Sequence, residues 1–106
     1  MGKAEVINDA LSGFTNVLGL SMTIDPNSGK YQLTLELADE RSTSTQLRCV
    51  DISNLHLSAF GGGLTQFLQF RCVDVRSEQL DRVALHFSDD EGKTIIFNCA
   101  DCEVVS

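Results

Sequence analysis

Apolar runs are short throughout this chain, and none approaches the roughly 20 consecutive apolar residues that a membrane-spanning helix needs. Positive charge is scarce as well: eight Lys and Arg stand against fifteen Asp and Glu, a formal net charge of −7. That sign repels phosphate backbones, so neither nucleic acid nor a membrane surface is expected as a partner. The opening residues, Met1 to Asp9, put acids where a signal peptide would carry its apolar region, which points to the cytoplasm. Tryptophan is absent and proline occurs once, while six Phe and eight Gly are present. With 42% hydrophobic and 22% charged residues, the composition is that of one folded domain over residues 1–106 with Gly-based turns.

What the chain does contain is an echo. Gln46-Leu-Arg-Cys-Val-Asp-Ile52 and Gln69-Phe-Arg-Cys-Val-Asp-Val75 agree at five of seven positions, the other two exchanging one apolar residue for another. A second echo follows each, Leu55-His-Leu-Ser58 and Leu85-His-Phe-Ser88. All four segments alternate apolar and polar residues at period two, the pattern of half-buried strands. The simplest reading is a strand pair used twice around one shared core, with Cys49 and Cys72 in related, mostly buried environments.

Elsewhere the pattern is also mainly β. Residues 4–12 place Val6, Ile7, Ala10 and Leu11 at helical spacing, with Gly13 suited to the left-handed position after the last turn and no strong N-cap. Thr15–Ile24 and Tyr31–Leu37 read as a hairpin around the turn formers of residues 25–30, with Leu33, Leu35 and Leu37 facing the core. Residues 44–52 and 55–60 read as strands parted at Ser53-Asn54. Residues 64–75 read as one long strand, apolar on both faces and so placed centrally or at a bulge. A short turn at 77–81 precedes a second hairpin, Arg82–Ser88 and Thr94–Cys99. About seven or eight strands with one short N-terminal helix predict an antiparallel β-sandwich or a strongly curved sheet.

Chemistry is harder to find. His56, His86, Cys49 and Cys72 are ligand types for zinc, but they lie on separate strands at spacings that match no compact zinc knuckle. Cys99-Ala-Asp-Cys102 is a single C-x-x-C after a strand, not at a helix N-terminus, with Asp101 opposing thiolate formation. Reduced thiols, no Cys99–Cys102 disulfide, no stoichiometric zinc and no cofactor are therefore expected. Gly61-Gly-Gly63 leads into a strand where a phosphate cradle needs a helix, and Asp89-Asp-Glu91 lacks the twelve-residue calcium pattern. No G-x-S-x-G elbow holds a nucleophile, so no enzyme activity is expected.

Residues 50–57, 61–64, 83–91 and 96–99 together resemble small bacterial immunity proteins, which are encoded beside secreted toxins, including those of contact-dependent growth inhibition systems. The resemblance implies a non-enzymatic inhibitor that blocks a basic toxin domain, such as a nuclease, at its active site. An acidic inhibitor suits that task, because complementary charge accelerates encounter. The acids projected on turns, Asp39 and Glu40 on one and Asp89, Asp90 and Glu91 on another, are the expected contact residues. Two other classes compete: a small-molecule-binding β-domain with a pocket lined by Phe60, Phe67, Phe70, Phe87 or Phe97, and a redox protein using Cys99 and Cys102.

Overall fold

Period-two alternation is realised most completely where the sequence shows it most cleanly. In the computed structural model, which describes residues 2–58, 65–66, 70–75, 84–89 and 95–105, Leu33, Leu35 and Leu37 have no exposed surface at all. They lie on β2 (Tyr31–Ala38), which pairs antiparallel with β1 (Asn16–Ile24) from Ile24 opposite Tyr31 to Asn16 opposite Ala38. The connecting turn is held by the Asp25 N–H donating to the Lys30 carbonyl (2.9 Å) and the Gly29 N–H to the Asp25 carbonyl (2.8 Å). Gly29 supplies the left-handed residue, with φ of 73°. A bulge between Val17 and Gly19 turns Leu18 outward, where it is 55% exposed.

The remaining strands are β3 (Ser44–Val50), β4 (Ser53–Leu57), β5 (Thr65–Gln66), β6 (Phe70–Asp74), β7 (Leu85–Asp89), β8 (Ile95–Cys99) and β9 (Asp101–Val105). They form two antiparallel sheets, in the orders β5-β1-β2-β3-β9 and β4-β8-β7-β6. The expected mainly β architecture is therefore observed as a sandwich of two sheets. One core joins them, with Leu33, Leu35, Leu37 and Leu47 from the first sheet and Leu85, Phe87, Ile95 and Phe97 from the second. Phe87 and Phe97 sit opposite each other on neighbouring strands and stack at 4.9 Å, with Phe70 stacked on Phe87 at 5.4 Å. Each such fully buried side chain contributes about 1.5–3 kcal/mol relative to exposure.

The chain passes directly between the sheets at two points. Asp51, left-handed with φ of 57°, ends β3 and sends the chain into β4. Ala100 carries it from β8 back to β9. Both crossings are pinned: the Ile52 N–H donates to the Tyr31 carbonyl (3.1 Å) and the Ala100 N–H to the Val50 carbonyl (3.0 Å). The break therefore comes at Asp51, two residues before the Ser53-Asn54 break that the sequence suggests. Asn54 is itself left-handed, at a bulge in the β4–β8 pairing.

Helix α1 (Lys3–Ala10) closes the side of the sandwich between β6 and β9. Its buried stripe is Ala4, Ile7 and Leu11, while Val6 is 51% exposed and Ala10 faces solvent. The expected stripe is thus rotated by one position on the helix. Gly2 at the N-cap offers no side-chain bond, as the sequence implies, and Gly13 adopts the expected left-handed conformation with φ of 85°. Asn8 anchors the helix. Its Nδ2 donates to the Cys72 carbonyl and its Oδ1 accepts from the Cys72 N–H, each at 2.8 Å. Since β6 is the last strand of its sheet in the described residues, one side chain here satisfies edge backbone groups that have no neighbouring strand.

The echo does not mark a structural repeat. Strands β6 and β7 pair side by side, whereas β3 and β4 belong to different sheets. The expected long strand 64–75 is likewise divided, with β5 against β1 in one sheet and β6 against β7 in the other. Residues 67–69, like the 77–81 turn, lie outside the described residues. The two strands of the expected second hairpin pair antiparallel, with Leu85 opposite Cys99 and Ser88 opposite Ile96, but Asp89 belongs to β7 and not to the turn; residues 82–83 and 90–94 lie outside the described residues.

Replacing Asn8 by Ala removes both bonds to the Cys72 backbone, and is expected to lower unfolding free energy by about 1–3 kcal/mol. Val6→Ala, on the exposed helix face, should change it by less than about 0.5 kcal/mol. Urea unfolding midpoints at an unchanged slope measure both, and equal effects would contradict this docking of α1.

Candidate functional site

The acids singled out from the sequence do not form one surface. Asp39 is half-buried and builds its own turn: its Oδ1 accepts from the Arg41 and Thr43 N–H groups, each at 2.9 Å, and Ser42 is left-handed with φ of 67°. Glu40 beside it is exposed. Asp89 is not at a hairpin tip. It is the last residue of β7, opposite Phe70, and is 1% exposed. A carboxylate so enclosed presents nothing to a partner, which corrects its reading as a projecting contact residue. Asp90 and Glu91 lie outside the described residues, as do Phe60, Phe67 and the glycines 61–63.

A different place offers both charge and exposed apolar surface. At the turn end of the first hairpin, Ile24 and Tyr31 lie on the same face as Leu33 yet are 52% and 47% exposed. Beside them a groove of about 220 Å³ is lined by Asp25, Ser28, Lys30, Tyr31, Gln32, Val50, Asp51 and Ala100. Its walls are the 25–30 turn on one side and the two pinned crossings on the other, so its shape follows from the fold and not from a loose loop. The Asn27 N–H, aided by Ser28 and Lys30, holds the Asp25 carboxyl below the usual carboxylate range. Asp25 is therefore anionic at neutral pH. The groove is smaller than the roughly 300–1,000 Å³ of small-molecule pockets and suits one long side chain.

The second notable feature is internal. All four cysteines of the chain are buried free thiols. Cys49 and Cys102 are directly opposed on β3 and β9, and Cys99 arrives from the other sheet at the Ala100 crossing. The Sγ atoms of these three lie within 4.8 Å of one another. Cys72, whose backbone is held by Asn8, is also buried, and the Cys102 thiol is the neighbour that acts on it most. Hydrogen bonds from Cys49, Cys72 and Cys99 push the Cys102 thiol well below its ordinary pKa. The same contacts work in reverse on the donors: the bond to Cys102 pushes Cys99 up to about 12 and raises Cys49 and Cys72, burial adding to each.

The histidines do not join this cluster. His86 lies on the outward-facing side of β7, with Nδ1 2.7 Å from Asn98 Oδ1, and His56 is exposed on β4. The combination of His56, His86, Cys49 and Cys72 that was set aside from the sequence is thus not brought together, and Cys49 is grouped with Cys99 and Cys102. Sequence reasoning missed Tyr31 and Asp25. The one available signal was position, the sole tyrosine continuing the Leu33-Leu35-Leu37 face next to a turn.

Fold and site together define a two-sheet antiparallel sandwich with an edge helix, a charged groove at one end and a thiol cluster inside. No family model matches the chain, and neither a curated protein nor a solved structure does.

Because Asp89 is enclosed, Asp89→Ser is expected to cost about 1–3 kcal/mol of stability, in contrast to the near-neutral effect expected of a tip residue. Glu40→Ser should stay within about 0.5 kcal/mol. Thermal or urea unfolding of the two variants distinguishes a strand-end carboxylate from a solvated turn acid.

Proposed function

We propose that this chain is a non-enzymatic binding protein of the immunity type, which neutralises a basic toxin domain by occupying its active site. A nuclease fits the charge relationship best, since a site that holds phosphates is itself positive. The observation that carries the reading is the groove at the hairpin end, where an ionised Asp25 stands beside exposed Tyr31 and Val50. A Lys or Arg of the toxin would lay its aliphatic stem against Val50 and its cationic head near the Tyr31 ring and the Asp25 carboxylate. Lys30 also lines the groove, but Asp25 and Asp51 outweigh it.

The chain's net charge of −7 supports the same reading at longer range. Such a charge speeds encounter with a basic partner, while a buried aromatic at the contact determines how long the complex lasts. Glu40 and Asp39 belong to the first effect and Tyr31 to the second. A proposed place in the producing cell's cytoplasm follows from the toxin's target, if that target is cytoplasmic nucleic acid.

The experiment pairs the purified protein with the toxin domain encoded beside its gene and measures protection of cells and association kinetics. Tyr31→Ala should leave association nearly unchanged and accelerate dissociation about 30-fold, the effect of a hot-spot loss near 2 kcal/mol. Asp25→Asn combined with Glu40→Ser should slow association and flatten its salt dependence. A chain that neither protects cells nor binds that domain is not an immunity protein, and kinetics unaffected by both variants would move the contact away from the groove.

A further inference from the structure

Four cysteines scattered over 54 residues of sequence, from Cys49 to Cys102, are all buried between the sheets, and three of them, Cys49, Cys99 and Cys102, bring their sulfurs within 4.8 Å of one another. Each arrives by a different structural route. Cys49 is placed by the inward parity it shares with Leu47 on β3, and Cys102 by its register opposite Cys49. Cys99 is the last inward residue of β8, and Cys72 the inward residue of β6 opposite Phe87. The cluster thus touches both sheets and both strands that α1 covers.

From this convergence we propose a structural metal site, with Cys49, Cys72, Cys99 and Cys102 as the four thiolate ligands of one zinc ion. Tetrahedral zinc takes sulfur at about 2.3 Å, which puts neighbouring sulfurs about 3.8 Å apart. Three of the sulfurs, those of Cys49, Cys99 and Cys102, already lie within 4.8 Å of one another, and Cys72, buried on the inward face of β6, completes the set by moving its side chain toward Cys102. An all-thiolate set selects a soft or borderline cation and rejects magnesium and calcium. Burial of all four ligands leaves no open position for water or substrate, the mark of a structural and not a catalytic site.

Cys99 and Cys102 form the local C-x-x-C half of the site, bent at Ala100 by its hydrogen bond to Val50. Cys49 and Cys72 form the long-range half. Binding displaces four S–H protons to solvent, and the resulting tetrathiolate complex carries a charge of −2. Lys3, ion-paired to Asp101 at the start of β9, places a positive charge at this end of the site, against the residue that precedes Cys102. The supporting contacts are those a metal ligand needs: Asn8 fixes the Cys72 backbone through two bonds, and the Cys102 N–H donates to Asp101 Oδ1 at 2.9 Å. In a domain of 106 residues such an ion would tie the two sheets together beneath the helix. The site is independent of the partner-binding groove and of the function proposed for it.

The test uses the full chain, purified under reducing conditions from cells, with its zinc content measured by mass spectrometry. The apo protein, regenerated with a strong chelator, is then titrated with Co²⁺ alone. One zinc per chain is expected, together with a cobalt complex showing thiolate charge-transfer bands and the ligand-field bands of a tetrahedral ion, displaced by one equivalent of Zn²⁺. Cys72→Ser should weaken cobalt binding by more than the roughly 10–100-fold typical of losing a mere supporting group, and alter the band pattern. The wild-type titration stands whether or not that variant folds. A folded, reduced protein with four titratable thiols and no cobalt spectrum would overturn the site. So would a Cys49–Cys102 disulfide found by peptide mapping without oxidant, or cobalt bands that Cys72→Ser leaves unchanged in a folded variant.

Discussion

Two backbone hydrogen bonds, from Ile52 to the Tyr31 carbonyl and from Ala100 to the Val50 carbonyl, hold the two places where the chain passes directly from one sheet to the other. A crossing breaks strand pairing, so its backbone groups need partners outside the ladder. Here the ends of β2 and β3 supply them, and this sets the two sheets at a defined offset. The offset leaves Ile24 and Tyr31 at the free end of the first sheet, partly exposed, and it brings Cys99 of one sheet to Cys49 and Cys102 of the other. The outer groove and the inner thiol cluster are two sides of the same crossing.

The opposite problem arises at the edge formed by β6 and β9, where inward side chains would meet water. Helix α1 solves it with three small or aliphatic residues, Ala4, Ile7 and Leu11, and one polar anchor. The anchor matters because an isolated eight-residue helix is marginal in water and must gain its stability from docking. Asn8 satisfies both the donor and the acceptor of Cys72, so a single side chain stands in for a missing neighbour strand. The Lys3–Asp101 pair is half-exposed and contributes little to stability by comparison.

The placement of the acids separates global charge from local contact. Net charge is a property of composition and acts over distances near a Debye length whatever the fold. Local contact requires an acid beside apolar surface, and the Asp25 end of the hairpin combines the two. Asp39 is occupied with its own turn, and Asp89 is enclosed at the end of a strand. Turn acids alike in sequence thus have three different physical roles.

Much of the local structure was legible in the residues themselves. Alternation at Leu33, Leu35 and Leu37, turn formers at 25–30 and Gly13 after the helix each specify a local geometry, because side-chain period and φ preference act within a few residues. The mainly β class followed from the same signals. What could not be read was which sheet each strand joins. The echoed segments 46–52 and 69–75 have the same in–out pattern, yet one lies in each sheet, since parity states which side chains point inward and not which strand lies alongside. For that reason Cys49 looked unrelated to the C-x-x-C of Cys99 and Cys102: only long-range register and the crossing at Ala100 bring these three sulfurs together. Composition and period by themselves determined an acidic, mainly β chain and its first hairpin; tertiary packing alone decided β9, the division of 64–75 between sheets, the groove, the burial of Asp89 and the thiol cluster, because each depends on contacts between segments distant in sequence.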